Sequence, residues 1–262
     1  MKLSRILFSG LLVVAAATST VMISRYYEIG KDASFSSENH AVNSITSEEF
    51  LNILKYQSED GLLSDQNGLL RHDIMQLTQF IVIKDLDSSI KINLRYATSN
   101  NFTGKVIYSS PVCVLRKETA EKLINAEVRF EKLGYHIEIW DAYRPLSAQK
   151  VLFAAESNTN YIADPAMGSR HNRGAAVDIT LVDENGKEVE MPSGFDDFTI
   201  KAHRNNPDMS KEAQKNLATL TSVMSACGFT TISTEWWHFD DSDWNSYPIM
   251  DVHLEDFADE SR

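Results

Sequence analysis

The sequence contains very little cysteine: Cys113 and Cys227 are the only two among its 262 residues. Two thiols cannot build a disulfide-rich scaffold or a zinc finger with cysteine ligands, so both classes are excluded. Positive charge is also scarce, since 25 lysines and arginines stand against 37 acidic residues and form no dense basic run. The resulting net charge of −12 repels phosphate backbones, and we therefore expect no nucleic-acid partner.

Residues 1–25 have the pattern of an export signal. Lys2 and Arg5 form a short basic region, and the apolar stretch that follows contains Ala15-Ala16-Ala17, a small-residue cleavage pattern. The alternative is an uncleaved anchor, because residues 6–23 carry no charge. Several hydroxyl-bearing residues within that span weaken a membrane-spanning helix, so we favour cleavage. Both interpretations place the folded part outside the cytoplasm, either exported to the periplasm or membrane-anchored and facing it.

Beyond this segment we predict a polar extension at residues 26–79 and one domain at residues 80–262. The extension contains Ser-rich and Asn-containing stretches and is typical of a linker. The domain alternates between the hydrophobic periodicities of strands and helices, without an internal repeat. These patterns predict an α+β fold in which helices flank a mainly antiparallel central sheet. The predicted strands are 80–83, 90–94, 135–141, 175–182 and 229–239, with 187–191 as a hairpin partner, and the predicted helices are 117–133, 147–156 with Ser147 as its N-cap, and 211–227.

The two cysteines could form a disulfide in an oxidising compartment. Cys227, however, lies on the apolar face of the last predicted helix, a position that suits a packed thiol. We therefore favour two unpaired, buried thiols over a Cys113–Cys227 bond.

The stretch from Ser169 to Asp178 carries ionisable residues in an apolar setting. Asp178 has apolar neighbours on both sides in a predicted strand, where a buried carboxylate needs a partner or a cation. His171 lies seven residues earlier, and Gly174 allows the chain to turn so that the two side chains converge. The stretch predicts a pair of metal ligands or, alternatively, an ion pair of Asp178 with a histidine or an arginine and no metal.

A second stretch places Glu235 and His238 among aromatic residues. Two histidines and one aspartate would leave one tetrahedral position for water, which is the arrangement of a catalytic zinc site rather than a structural one. Glu235, three residues from His238, could then transfer protons during the reaction. The alternative is an aromatic core strand with a hydrogen-bonded histidine.

A third group, Trp140 to Pro145, lies at the end of a predicted strand and contains Arg144. An arginine has a fixed charge and a fork of donors, both of which stabilise a developing oxyanion. By itself, an arginine before a proline is more often a surface or salt-bridge residue.

Together these motifs closely resemble those of the zinc D-alanyl-D-alanine dipeptidases of the VanX type, which are M15 peptidases. Four segments carry the resemblance in the expected order, over about residues 80 to 250, and the N-terminal 79 residues lie outside it. The segments are Leu94 to Lys105, Asp-Ala-Tyr-Arg-Pro at 141–145, Ser-x-His-x-x-Gly-x-Ala-x-Asp at 169–178 and Glu-x-x-His at 235–238.

The resemblance implies a single zinc-peptidase domain with one Zn²⁺ per chain. It implies that His171, Asp178 and His238 bind the metal. Glu235 would be the general base and acid, and Arg144 would stabilise the tetrahedral intermediate.

The resemblance also implies a set of substrate-binding residues. Ser169 would lie near the carboxylate of the dipeptide, Asp196 would pair with its free ammonium group, and Tyr96 would contribute through its backbone. A buried carboxylate that requires an ammonium group rejects longer peptides that lack one at that point. Asp197, directly after Asp196, is the alternative partner for the ammonium.

The expected function is the zinc-dependent hydrolysis of D-Ala-D-Ala into two D-alanines during the turnover of cell-wall peptides. One alternative is a zinc D,D- or L,D-carboxypeptidase that acts on peptidoglycan stem peptides, which would need an open cleft and no ammonium-binding carboxylate. Another is a non-catalytic zinc-binding module, which would need neither Glu235 nor Arg144. The expected partner is a small D,D-dipeptide, with membrane contact only through an uncleaved N-terminal segment.

Overall fold

The computed structural model describes residues 45–46, 71, 74–76 and 78–258. Two compact units divide the chain, Met1–His40 and Ala41–Arg262, and all described residues lie in the second. The predicted export signal and nearly all of the predicted extension therefore lie outside the described residues and stay predictions. Within the described part of the chain, no helix has the length and apolar character that crossing a membrane requires.

The described elements follow the predicted alternation of strands and helices. Their order is β1 (Ile45–Thr46), β2 (Phe80–Val82), α1 (Ile83–Leu86), β3 (Lys91–Ile92), β4 (Val114–Arg116), α2 (Lys117–Glu131), β5 (Tyr135–Asp141), α3 (Leu146–Ala155), β6 (Ala176–Asp183), α4 (Lys211–Ala226), β7 (Phe229–Thr231), β8 (His238–Asp241) and β9 (Met250–Asp251).

A five-stranded sheet in the order β3-β5-β6-β8-β7 forms the centre of the domain. Strands β5, β6, β8 and β7 pair antiparallel with their neighbours, whereas β3 pairs with β5 in parallel. Two smaller pairs, β2 with β4 and β1 with β9, lie outside this sheet. The α+β prediction is confirmed, with a central sheet that is mixed rather than purely antiparallel.

The two faces of the sheet differ in polarity because side chains alternate along a strand. On β6, Val177, Ile179 and Leu181 are buried in the apolar core that also contains the inward residues of α2 and α4. Asp178 and Thr180 lie between them and therefore point to the opposite face. The polar face of the sheet thus carries the candidate site, while the helices cover the apolar face.

The prediction of one continuous strand at 229–239 was wrong. The chain forms two strands, β7 and β8, that pair with each other antiparallel. Trp236 and Trp237 between them are both buried, at 0% and 2% exposure. The backbone of Trp236 bonds outside the sheet, because its N–H donates to the carbonyl of Ala202 at 3.0 Å and its carbonyl accepts from Arg204 at 2.6 Å.

The predicted hairpin partner at 187–191 forms only an isolated bridge between Val182 and Glu188. The chain turns away from the sheet after this bridge, because the carbonyl of Glu190 accepts a hydrogen bond from Asn216 of α4 and its carboxylate accepts one from Ser210.

The predicted N-cap at Ser147 was also wrong. Helix α3 begins at Leu146 after Pro145, and the backbone N–H of Ser147 donates to the carboxylate of Asp251 at 2.7 Å. Both cysteines are free, as predicted, with Cys113 buried and Cys227 half-buried at the end of α4.

Candidate metal and catalytic site

Three side chains converge on the polar face of the sheet. Asp178 of β6 and His238 of β8 are directly opposite each other in the strand register. Asp178 Oδ1 lies 3.0 Å from His238 Nδ1 and 3.4 Å from His171 Nε2, and the two imidazole nitrogens are 3.2 Å apart. All three residues are buried, and their ligand atoms form a group that could hold a metal ion.

A tight turn brings His171 to this group. The residue lies in a short 3₁₀ helix, His171–Arg173, which ends at Gly174 in the left-handed conformation, with φ of +67°. The Gly174 N–H donates to the carbonyl of His171 at 3.0 Å, and a Cβ atom at Gly174 would overlap the ring of Phe80. Glycine is therefore required by both the backbone angle and the packing.

Hydrogen bonds at the far nitrogens orient both imidazoles. His171 Nδ1 donates to the carbonyl oxygen of Ala142 at 2.8 Å, which leaves its Nε2 lone pair directed at the group. His238 Nε2 lies 2.8 Å from Asp240 Oδ1, which directs Nδ1 at the group. Ring nitrogens of metal-binding histidines usually have such partners, which fix the tautomer and the ring orientation.

The electrostatics of the group favour a cation. Burial alone would lower the pKa of His238, but its hydrogen bonds to Asp178 and Asp240 raise that pKa to about 10. Burial would raise the pKa of Asp178, yet His171 and His238 hold it well below its usual value. Asp178 and Asp240 thus face the two ring nitrogens of His238 and concentrate negative charge there.

Glu235 lies at the edge of this group. Its Oε2 is 3.9 Å from His238 Nδ1, and its side chain is 16% exposed. Burial, reinforced by the charge of Asp178, raises the pKa of Glu235 to about 7, although His238 opposes the shift. A carboxyl group with a pKa near neutrality can both accept and donate a proton.

Arg144 is held rigidly beside the group. Its Nε and Nη2 donate to Asp141 Oδ2 at 3.0 and 2.7 Å, and its Nη1 donates to Gln149 at 2.7 Å. Asp141 is itself buried, and its other oxygen accepts a hydrogen bond from Tyr108 at 2.5 Å. Arg144 also bonds to the metal-ligand turn through its backbone, because its N–H donates to the carbonyl of His171 at 3.1 Å.

Asp196 and Tyr96 form a second hydrogen-bonded group of the candidate site. The Tyr96 hydroxyl donates to the Asp196 carboxylate at 3.1 and 3.2 Å. Burial and the nearby charge of Asp178 raise the pKa of Asp196 to about 8, although Arg144 opposes this shift. Asp197 instead accepts a hydrogen bond from Thr199 at 2.5 Å. Of the two neighbouring acids, Asp196 is therefore the one that bonds to Tyr96 and is close enough to Asp178 to be influenced by its charge.

Tyr96 and Ser169, two of the predicted substrate-binding residues, make hydrogen bonds within the protein. The Tyr96 carbonyl accepts hydrogen bonds from the backbone of Ile107 and Tyr108, so its side chain rather than its backbone extends towards Asp196. Ser169 Oγ accepts from the backbone N–H of His171 at 3.2 Å, at the start of the 3₁₀ turn. Direct contact of either residue with a substrate stays a prediction.

Sequence reasoning missed three supporting residues. Asp240 could have been found, because it lies two residues after His238 in the same strand and therefore on the same face. Asp141 is the first residue of the Asp-Ala-Tyr-Arg-Pro motif, but the motif alone does not indicate that it pairs with Arg144. Gln149 carried no signal, since only the packing of α3 brings it to Arg144.

The residues present fit a tetrahedral zinc ion. Ligand atoms about 2.0–2.1 Å from a tetrahedral zinc lie roughly 3.3 Å from one another. The three ligand atoms here are separated by 3.0, 3.2 and 3.4 Å. Two imidazoles and a carboxylate also form a suitable donor set for zinc and leave a coordination position open.

Comparisons with known proteins identify the family to which the chain belongs. The Peptidase M15 family model, described as D-Ala-D-Ala dipeptidase, matches residues 76–258. A D-alanyl-D-alanine dipeptidase of Escherichia coli is 36% identical over 173 residues, which cover 66% of this chain and 90% of the relative. Proteins with the same name from Streptomyces coelicolor and Enterococcus faecalis are 32% and 28% identical over 181 residues, each covering 61% of this chain and 90% of the relative.

The site and the family match together define the chain as a peptidase, and therefore as a hydrolase. It belongs to the M15 family of D-Ala-D-Ala dipeptidases.

Proposed function

We propose that this protein is a zinc-dependent dipeptidase that hydrolyses D-Ala-D-Ala into two D-alanines in the turnover of cell-wall peptides. The observation that carries the proposal is the convergence of His171, Asp178 and His238, with Glu235 3.9 Å from His238. The names of the relatives support the choice of substrate. The N-terminal sequence pattern supports a location outside the cytoplasm.

In the proposed mechanism, His171, Asp178 and His238 hold the zinc ion, which supplies Lewis-acid activation of water and of the scissile carbonyl. Glu235 accepts a proton from the attacking water and passes it to the leaving amine. Arg144, fixed by Asp141 and Gln149, places a charged fork of donors where the carbonyl oxygen becomes negative.

Asp196 determines the length of the substrate in this proposal. Its half-buried side chain, hydrogen-bonded to Tyr96, accepts the free ammonium group of the dipeptide, whose positive charge would offset the raised pKa of Asp196 and keep it ionised. A peptide with further residues before the scissile bond has an amide there, so the carboxylate would lose its charged partner. This feature favours a dipeptidase over a carboxypeptidase.

An amine-release assay on zinc-loaded protein tests this function with D-Ala-D-Ala, L-Ala-L-Ala and a pentapeptide that ends in D-Ala-D-Ala. We expect hydrolysis of the first substrate alone. We also expect Asp196→Asn to raise the KM for D-Ala-D-Ala by about 10- to 100-fold, the effect of losing a charge-assisted hydrogen bond. Asp197→Asn is the matched control and should resemble the parent protein.

Equal turnover of the pentapeptide would reject the dipeptidase in favour of a carboxypeptidase. If Asp197→Asn rather than Asp196→Asn raised the KM, the ammonium site would belong to Asp197.

Replacing Asp240 tests the orientation of His238. We expect Asp240→Asn to weaken zinc binding by about 10- to 100-fold, because an amide cannot hold the imidazole as a carboxylate does. Competition with a chromogenic chelator measures the affinity without reference to activity. Asp243→Asn is the control, since its side chain is 65% exposed and pairs with Lys122. If the Asp240→Asn protein bound zinc as tightly as the parent, Asp240 would not be the residue that orients His238.

A further inference from the structure

A cavity of about 610 Å³ extends along the polar face of the sheet, next to the candidate site. Asp196 and Thr180 both line it. Thr180 follows Asp178 by two residues on β6, so it lies on the same face and about 6.6 Å further along the strand. The cavity therefore begins at the carboxylate that is proposed to bind the ammonium group and leads away from the metal ligands.

Arg95 contributes a charged group to the cavity wall. Its guanidinium lies over the ring of Trp140, 5.0 Å from the centroid, and its Nη2 donates to Glu188 at 3.0 Å. The same nitrogen is 3.9 Å from the buried carboxylate of Glu138. Among the described residues, Arg95 Nε is buried without a hydrogen-bond partner. The hydrogen-bonding capacity of this guanidinium is thus not fully used by the described residues.

Thr180 brings a second polar group to the same place. It is directly opposite Glu138 in the register of β5 and β6, and Glu138 is the residue that Arg95 approaches. Within the described part of the chain, the Thr180 hydroxyl makes no side-chain hydrogen bond, although the residue is only 1% exposed. Polar groups without a protein partner in a buried setting are normally satisfied by water or by a ligand.

The charges around the cavity restrict what it can accept. Arg95 pairs with Glu188, and the nearby Glu138 pairs with Lys91 at 2.5 Å. The charges at this end of the cavity are therefore matched, so an added ion of either sign would lack a free counter-charge. Asp196, the remaining charged group on the wall, is assigned to the ammonium of the substrate. An uncharged group with hydrogen-bonding atoms fits this balance better than either ion.

We propose that this cavity receives the side chain of the N-terminal residue of the dipeptide and favours an uncharged carboxamide, as in D-asparagine or D-glutamine. The inference rests on the proposed function and extends its substrate class beyond D-Ala-D-Ala. A methyl side chain would leave nearly all of the cavity to water. A carboxamide oxygen can accept from Arg95 and its nitrogen can donate to the Thr180 hydroxyl.

The experiment compares kcat/KM for D-Asn-D-Ala and D-Leu-D-Ala, whose N-terminal side chains have nearly the same shape, with D-Ala-D-Ala as reference. We expect the zinc-loaded protein to prefer D-Asn-D-Ala over D-Leu-D-Ala by about tenfold, the effect of one or two good hydrogen bonds. Thr180→Val and Arg95→Met should each bring this ratio close to one. Because the ratio compares two substrates on one enzyme, a general loss of activity in a variant cancels.

Thr180→Val removes only a hydroxyl that has no protein partner among the described residues, so we expect this variant to fold. Thr231→Val on β7 is the matched control, because Thr231 is exposed and lies outside the cavity, and its ratio should equal that of the parent.

Three results would overturn the inference. Equal kcat/KM for D-Asn-D-Ala and D-Leu-D-Ala, or rejection of both by at least 100-fold relative to D-Ala-D-Ala, would remove the subsite and leave the proposed function standing. A preference that persists in both variants would exclude Arg95 and Thr180 as its source. Failure to hydrolyse any of the three dipeptides would remove the proposed function and the subsite together.

Discussion

A Glu235→Gln protein is expected to bind zinc as the parent does and to lose about 100- to 10,000-fold in kcat on D-Ala-D-Ala. Glutamine keeps the shape of the side chain, which lies 3.9 Å from His238 without being one of the three grouped ligands. It cannot accept a proton from water, and a positioned general base commonly contributes 10²- to 10⁴-fold to the rate. Steady-state kinetics test the loss of kcat, and the metal content of the same preparation tests whether zinc binding is retained.

Glu184→Gln provides the matched control for this result, because Glu184 is exposed in the turn after β6. We expect its kcat to equal that of the parent. A Glu235→Gln protein that contains zinc and hydrolyses the dipeptide at the parent rate would exclude Glu235 as the base. Loss of zinc from that protein would instead make Glu235 part of the metal site.

Arg144→Lys is expected to lower kcat on D-Ala-D-Ala by about 100-fold with a smaller change in KM. Lysine keeps the charge but cannot bond to Asp141 and Gln149 at once, as the arginine fork does. Removing one donor from an oxyanion site costs about 10²- to 10³-fold in kcat in enzymes that use such a site. The kinetics should be measured well below the unfolding temperature, since the buried Asp141 also loses its bidentate partner.

Arg129→Lys, an exposed change in the last turn of α2, is the control and should leave both constants unchanged. If Arg144→Lys raised KM and left kcat within threefold of the parent, Arg144 would bind the substrate in its ground state rather than the transition state.

The central features of the site could be predicted because each is encoded locally. Asp178 was recognisable as a carboxylate in an apolar strand. Gly174 allows the turn that brings His171 close to Asp178. Strand β5 and helix α2 were predicted closely, because their hydrophobic periodicities are unambiguous.

The remaining features depend on tertiary contacts that no local pattern expresses. Between β7 and β8 the backbone of Trp236 bonds to Ala202 and Arg204, which the composition of a Thr-rich, aromatic segment does not reveal. The backbone of Ser147 bonds to Asp251, which lies 104 residues away in the sequence. The unpartnered Nε of Arg95 results from the packing of its side chain among residues that are distant in the sequence.

The position of His238 directly opposite Asp178 links the site to the accuracy of folding. Successive side chains of a strand point to opposite faces, so a slip of β8 by one residue against β6 would turn His238 into the apolar layer and bring Phe239 to the polar face. Such a misaligned chain could keep most of its secondary structure and still be unable to gather the three ligands. Under the proposed function, zinc binding would therefore distinguish correctly aligned molecules from slipped ones.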